Sequence, residues 1–151
     1  MAALKLRPFL VTLLIPWAAA LAACGSGASA GTGGPPDGPT VTPGTAFTLA
    51  PGQTARLDGG GLTVRFDGVK DDSRCPVNVT CVWAGDATVM VSVTSGEGRP
   101  AARELHVTAP AAKTTAVSGY VVGLVGLAPE RRSQSPVSPG DYRVQLRIDK
   151  G

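Results

Sequence analysis

The chain has 151 residues, 43% hydrophobic and 17% charged, with 20 Gly, 13 Pro and three Cys. That length suits one domain plus accessory segments and excludes a large multidomain enzyme. Setting aside Lys5 and Arg7, which lie in a segment read below as a removed signal, leaves 12 Lys and Arg against 11 Asp and Glu, a net of +1. No electrostatic case for nucleic acid survives that balance. His106 is the only histidine, which excludes any mechanism that needs two.

Met1 to Arg7 is short and carries two bases and no acid. An apolar run follows from Phe9 to Leu21, broken only by Thr12 and Pro16. The run is short for a membrane span of about 20 apolar residues and has the three-part layout of a secretory signal. It ends in Leu21-Ala22-Ala23-Cys24-Gly25. This junction resembles the lipobox of bacterial lipoproteins. The resemblance implies that Cys24 receives a diacylglyceryl group and later an acyl chain such as palmitate. It also implies that a dedicated peptidase cuts before Cys24, removing residues 1–23. An ordinary secretory protein, cut after Ala20-Leu21-Ala22 or Ala28-Ser29-Ala30, is the alternative. Two or more acyl chains at about 0.8 kcal/mol per buried methylene give stable anchoring. The expected location is therefore exported, lipid-anchored to a cell membrane and facing away from the cytoplasm.

Gly25 to Gly44 reads GSGASAGTGGPPDGPTVTPG, with one charge and little apolar bulk. Such a composition cannot offset its backbone entropy by burial, so residues 24–44 are expected to be a lipidated cysteine and a disordered tether. A flexible coil of this length reaches about 25 Å on average.

Residues 45–151 are expected to form one all-β domain. Leu62, Val64 and Phe66 alternate with polar residues; so do Ala87, Val89, Val91 and Val93, then Leu105 and Val107 about His106. Tyr142, Val144, Leu146 and Ile148 form the clearest such series. A period of two marks half-buried strands. Tyr120 to Leu127 is more uniformly apolar and reads as a central strand covered on both faces. Gly- and Pro-rich turns separate these runs, and no capped helical stripe appears. Seven or eight short antiparallel strands point to a β-sandwich, with a barrel as the alternative.

The most distinctive stretch runs from Asp71-Asp72-Ser73-Arg74-Cys75-Pro76 to Cys81-Val82-Trp83-Ala84-Gly85-Asp86-Ala87. With Cys24 lipidated, two cysteines remain in an oxidising compartment, so a Cys75–Cys81 disulfide is expected. Closing a loop of that size contributes about 2 kcal/mol. Counted back from Val89, positions 87, 85, 83 and 81 share a face, which places Trp83 and Cys81 in the core beside the valines. A bulge at Gly85 would reverse that phase. The pattern D-S-R-C-P-x4-C-x-W-x-G-x-A resembles an uncharacterised family of bacterial lipoproteins and secreted proteins. The resemblance implies a small exported β-domain and carries no activity with it.

Zinc held by Cys75, Cys81 and His106 would need a fourth ligand and competes with the disulfide. Asp67, Asp71, Asp72 and Asp86 gather hard oxygens near one loop, which admits a calcium site or an enzymatic carboxylate cluster as the alternative function. The EF-hand pattern and the G-x-S-x-G elbow are both absent, and alternation puts His106 on an exposed face. The expectation is therefore no catalytic residue, no metal and no cofactor. The expected protein is a non-catalytic module, binding or structural, whose partners are the membrane through Cys24 and an envelope protein or glycan.

Overall fold

The computed structural model describes residues 37–151. The segment read as a signal, Cys24 and residues 25–36 lie outside the described residues. Nine strands follow in order: β1 (Asp37–Val41), β2 (Ala46–Leu49), β3 (Thr54–Leu57), β4 (Leu62–Asp72), β5 (Ala87–Ser95), β6 (Ala101–His106), β7 (Thr114–Val117), β8 (Tyr120–Ala128) and β9 (Arg143–Lys150). One sheet has the order β1-β3-β4-β5-β6 and the other β2-β9-β8-β7. The fold is an all-β sandwich, not a closed barrel.

The alternating residues build the core because successive side chains on a pleated strand face opposite ways. In β9, Val144, Leu146 and Ile148 are fully buried while Arg143, Gln145 and Arg147 are exposed. In the first sheet Val64 and Phe66 of β4 meet Val89, Val91 and Val93 of β5 in the same interior, with Leu105 of β6 beside them. Every strand named from the sequence is present.

Two expectations are corrected. Tyr120–Leu127 is not covered on both faces. β8 lies between β7 and β9, alternates, and slips register between Leu124 and Gly126, where Val125 turns out to solvent. Val122, Leu124 and Leu127 face the core, whereas Val121 and Val125 lie on the outer face with no second layer over them.

The domain also begins earlier than composition indicates, because residues 37–44 belong to it. β1 pairs in parallel with β3, Asp37 opposite Thr54 and Val41 opposite Leu57. Val41 is buried, its carbonyl accepts from Asp58 N at 2.8 Å, and Gly44 N donates to the Ile148 carbonyl at 2.7 Å. Gly38 passes so close to the Thr54 carbonyl that a Cβ would overlap it. The Gly/Pro content that looks like linker therefore serves a close backbone approach and a turn. A fragment starting at Asp37 should melt well above one starting at Thr45, which loses Val41 and an edge strand, a difference of about 2 kcal/mol or more. Chemical denaturation of the two fragments checks this.

Candidate functional site: the cysteine loop and its polar clasp

β4 changes phase twice before the loop, with register shifts between Phe66 and Gly68 and between Val69 and Asp71. These bulges re-aim its last residues. Asp71 ends up exposed, whereas the Asp72 side chain is only 8% exposed and points into the gap between the sheets. There it meets Arg74, itself 12% exposed.

The Asp72–Arg74 pair is two-pronged. Arg74 Nε donates to Asp72 Oδ1 at 2.8 Å and Nη2 to Oδ2 at 2.7 Å. The same guanidinium crosses to the second sheet, donating to the carbonyls of Leu127 at 2.9 Å and Pro129 at 3.0 Å. Tyr142, immediately before β9, donates its hydroxyl to Asp72 Oδ2 at 3.0 Å. Arg131 adds a bond to the Asp72 carbonyl at 2.9 Å, and Val77 N donates to the Arg131 carbonyl at 2.9 Å. The loop before β9 is thus stitched to the loop before β5. The Arg131 Nε is buried without a hydrogen-bond partner.

The electrostatics follow the geometry. Burial alone would raise the Asp72 carboxyl, but the hydrogen bonds from Arg74 and Tyr142 and the guanidinium charge outweigh it and hold the group below its ordinary range. The Asp72 hydrogen bonds raise Arg74 further, despite its burial. Burial, then the bond to Asp72, pushes the Tyr142 hydroxyl upward.

Within this clasp the loop is closed by the Cys75–Cys81 disulfide, with its Cα atoms 6.0 Å apart. The expected bridge is present, and its place differs from expectation. Ser73 N donates to the Asp86 carbonyl at 2.7 Å and Cys75 N to the Ala84 carbonyl at 3.0 Å, so the two legs of the loop form a short ladder. Between Ala84 and Asp86 the backbone turns at Gly85, at φ +66°, and a Cβ there would overlap the Ser73 carbonyl. Only glycine fits that position. β5 begins at Ala87, beyond the turn, so strand parity does not extend to Trp83.

Trp83 and Cys81 are accordingly not in the core. Trp83 is 83% exposed, Val82 93%, Val77 61% and Val79 48%, and Cys81 is exposed with them. Pro76 is the loop's buried residue. A rigid frame holds up an apolar tip.

His106 is not a solvated strand histidine. Its Nδ1 lies 2.6 Å from Asp86 Oδ2, and both side chains are 31% exposed. Thr108 donates from its backbone N and its hydroxyl to Asp86 Oδ1, each at 2.9 Å. Burial works against the Asp86 charge, but these bonds prevail and bring its pKa from 3.8 down to about 2. Among the described residues no hydroxyl bonds the other ring nitrogen of His106, so the dyad has no nucleophile attached to it.

The four aspartates do not converge. Asp67 takes Arg65 Nη1 at 3.1 Å and the Ser92 hydroxyl at 2.6 Å, Asp72 sits in the clasp, Asp86 holds His106, and Asp71 stands in solvent. Among the described residues no three His, Cys, Asp or Glu side chains are placed to hold a metal ion. A shallow hollow of about 390 Å³ beside Thr48, Leu127, Arg143 and Gln145 presents a single carboxylate, Glu130. Among the described residues no helix is long and apolar enough to cross a membrane.

No protein family, curated protein or solved structure matches this chain.

Two outcomes test the clasp. Arg74→Ala leaves Asp72 buried and unpaired, and should cost about 3–5 kcal/mol by chemical denaturation. For Asp86, a lowered folded-state pKa means stability that is complete above about pH 4 and is lost as pH falls toward about 2. Asp86→Asn should remove that portion of the acid sensitivity, seen as a flatter melting temperature against pH over this window.

Proposed function

We propose that the chain is an exported, membrane-anchored lipoprotein whose β-sandwich is a non-catalytic module that binds at the cell envelope through the cysteine loop. The observation that carries the reading is the exposure of Val82 and Trp83 on a loop held from both sides. An exposed indole beside aliphatic side chains on an ordered scaffold is a feature of binding sites, where aromatic anchors supply much of the affinity. The loop's polar residues support the same division of labour. Asp72 bonds Arg74 and Tyr142, Asp86 bonds His106, and the two groups hold the frame, leaving the apolar tip as the surface offered to a partner.

The anchoring half rests on the apolar run, the Leu-Ala-Ala-Cys junction and the Gly/Pro/Ser tether that follows. Wild type should enter the detergent phase on partitioning and Cys24→Ala should stay in the aqueous phase. Wild type in the aqueous phase with an unmodified N-terminal peptide would refute the anchor. In the same assay series, Trp83→Ala should melt within about 0.5 kcal/mol of wild type, as expected for an exposed side chain. A loss of several kcal/mol would instead make Trp83 a structural residue.

A further inference from the structure

The register of the first sheet says where the cysteine loop stands relative to the start of the domain. Asp37 pairs with Thr54, Thr54 with Arg65, and Arg65 with Ser92. At the base of the loop, Asp72 pairs with Ala87. Ser92 to Ala87 is five residues of strand, about 17 Å. Because β1 runs parallel to β3 and β3 antiparallel to β4, Asp37 is the end of β1 nearer the cysteine loop.

Twelve residues, 25–36, separate Cys24 from Asp37. A Gly/Pro/Ser segment of that length spans about 20 Å on average and about 40 Å fully extended. The mean reach is close to the distance along the sheet from Asp37 to the loop's base. The ladder from Asp72 to Cys75 carries the tip about 10 Å or more beyond that base. That is past the mean reach and within the extended one, so a lipid on Cys24 and the tip of the loop can meet the same plane.

The chemistry of the tip fits that plane. Residues 75–84, CPVNVTCVWA, contain no charged side chain. Three exposed valines and an exposed indole are what the headgroup boundary accepts, since tryptophan seats its ring there with the N–H toward water. A charge in the same place would resist burial. The disulfide and the clasp order the loop beforehand, so little conformational freedom is lost on contact. The short tether keeps the loop at high effective concentration near the surface, so a weak individual affinity suffices.

We infer that the occupant of the cysteine loop is the anchoring bilayer itself: Trp83 and Val82 enter its headgroup zone and fix which end of the sandwich faces the membrane. The inference rests on the lipid-anchor reading above and adds the orientation to it.

The test uses the full chain, lipidated in cells and reconstituted into vesicles of phosphatidylethanolamine and phosphatidylglycerol. Trp17 lies in the removed signal, so Trp83 is the only tryptophan of the mature chain. Its emission should shift to the blue in vesicles and be quenched more by lipids brominated near the headgroup than by lipids brominated at the chain end. Val82→Ser/Trp83→Phe should keep the melting temperature and the vesicle association, while a proteolytic or fluorescent label on the opposite end of the sandwich loses its fixed height. Water-like Trp83 emission in vesicles that retain the protein would overturn the inference alone. A blue shift that grows with protein density and ignores brominated lipid would assign the loop to a second copy, and overturn it as well. Protein left in the supernatant would overturn the anchor reading together with the orientation.

Discussion

The Arg74 guanidinium ties the two sheets together at one end. Arg74 binds a carboxylate of the first sheet and two carbonyls at the end of β8 in the second, while Tyr142 closes on the same carboxylate from just before β9. A lysine could not do this, because its point charge lacks the planar fork that reaches Asp72 and the carbonyls at once. Desolvating the pair is costly, and the cost is offset only because nearly every donor and acceptor in it is used. The cysteine loop contributes almost nothing to the core, with only Pro76 buried between the two half-cystines and their neighbours. Its position depends on this clasp and on the short ladder to Asp86.

How much of this was readable from the residues depends on where the chain is regular. Inside strands, parity works: the burial of Val144, Leu146 and Ile148 or of Val64 and Phe66 follows from the pleat alone. Parity failed at Trp83 because it was carried through a position where the chain is not a strand. Gly85 was the signal, a glycine between two strand-like segments, and the structure uses it to turn. β1 was hidden for a different reason. Averaged over twenty residues the segment 25–44 is polar and glycine-rich, and the local Thr40-Val41 that pairs with β3 is lost in the mean. The barrel alternative could not be separated from the sandwich by pattern, since both use half-buried strands.

The polar site was more legible than it first looked. Asp72 and Arg74 are two apart, which on extended chain puts them on one side, where opposite charges can pair. A hairpin turning at Gly96-Glu97-Gly98 pairs Thr88 with His106 and so carries Asp86 opposite Thr108. The Asp86–His106 bond follows from that register with no knowledge of the other sheet. What no local pattern supplied was the link across the sandwich, because Leu127, Pro129 and Tyr142 are more than fifty residues from the side chains they receive.

The parallel pairing of β1 has a mechanical meaning. Hydrogen bonds in a ladder lie across the strands, so a pull along the strand axis strains them together, whereas a pull across it parts them one after another. β1 begins at its loop-proximal end, and tension on the N-terminal segment drawn toward that end runs along the strand axis. The edge strand then resists in shear, with Val41 seated beneath it and Asp58 N bound to its last carbonyl. Under a load applied in that direction the strand would part slowly, because forced opening is governed by the unfolding barrier rather than by equilibrium stability.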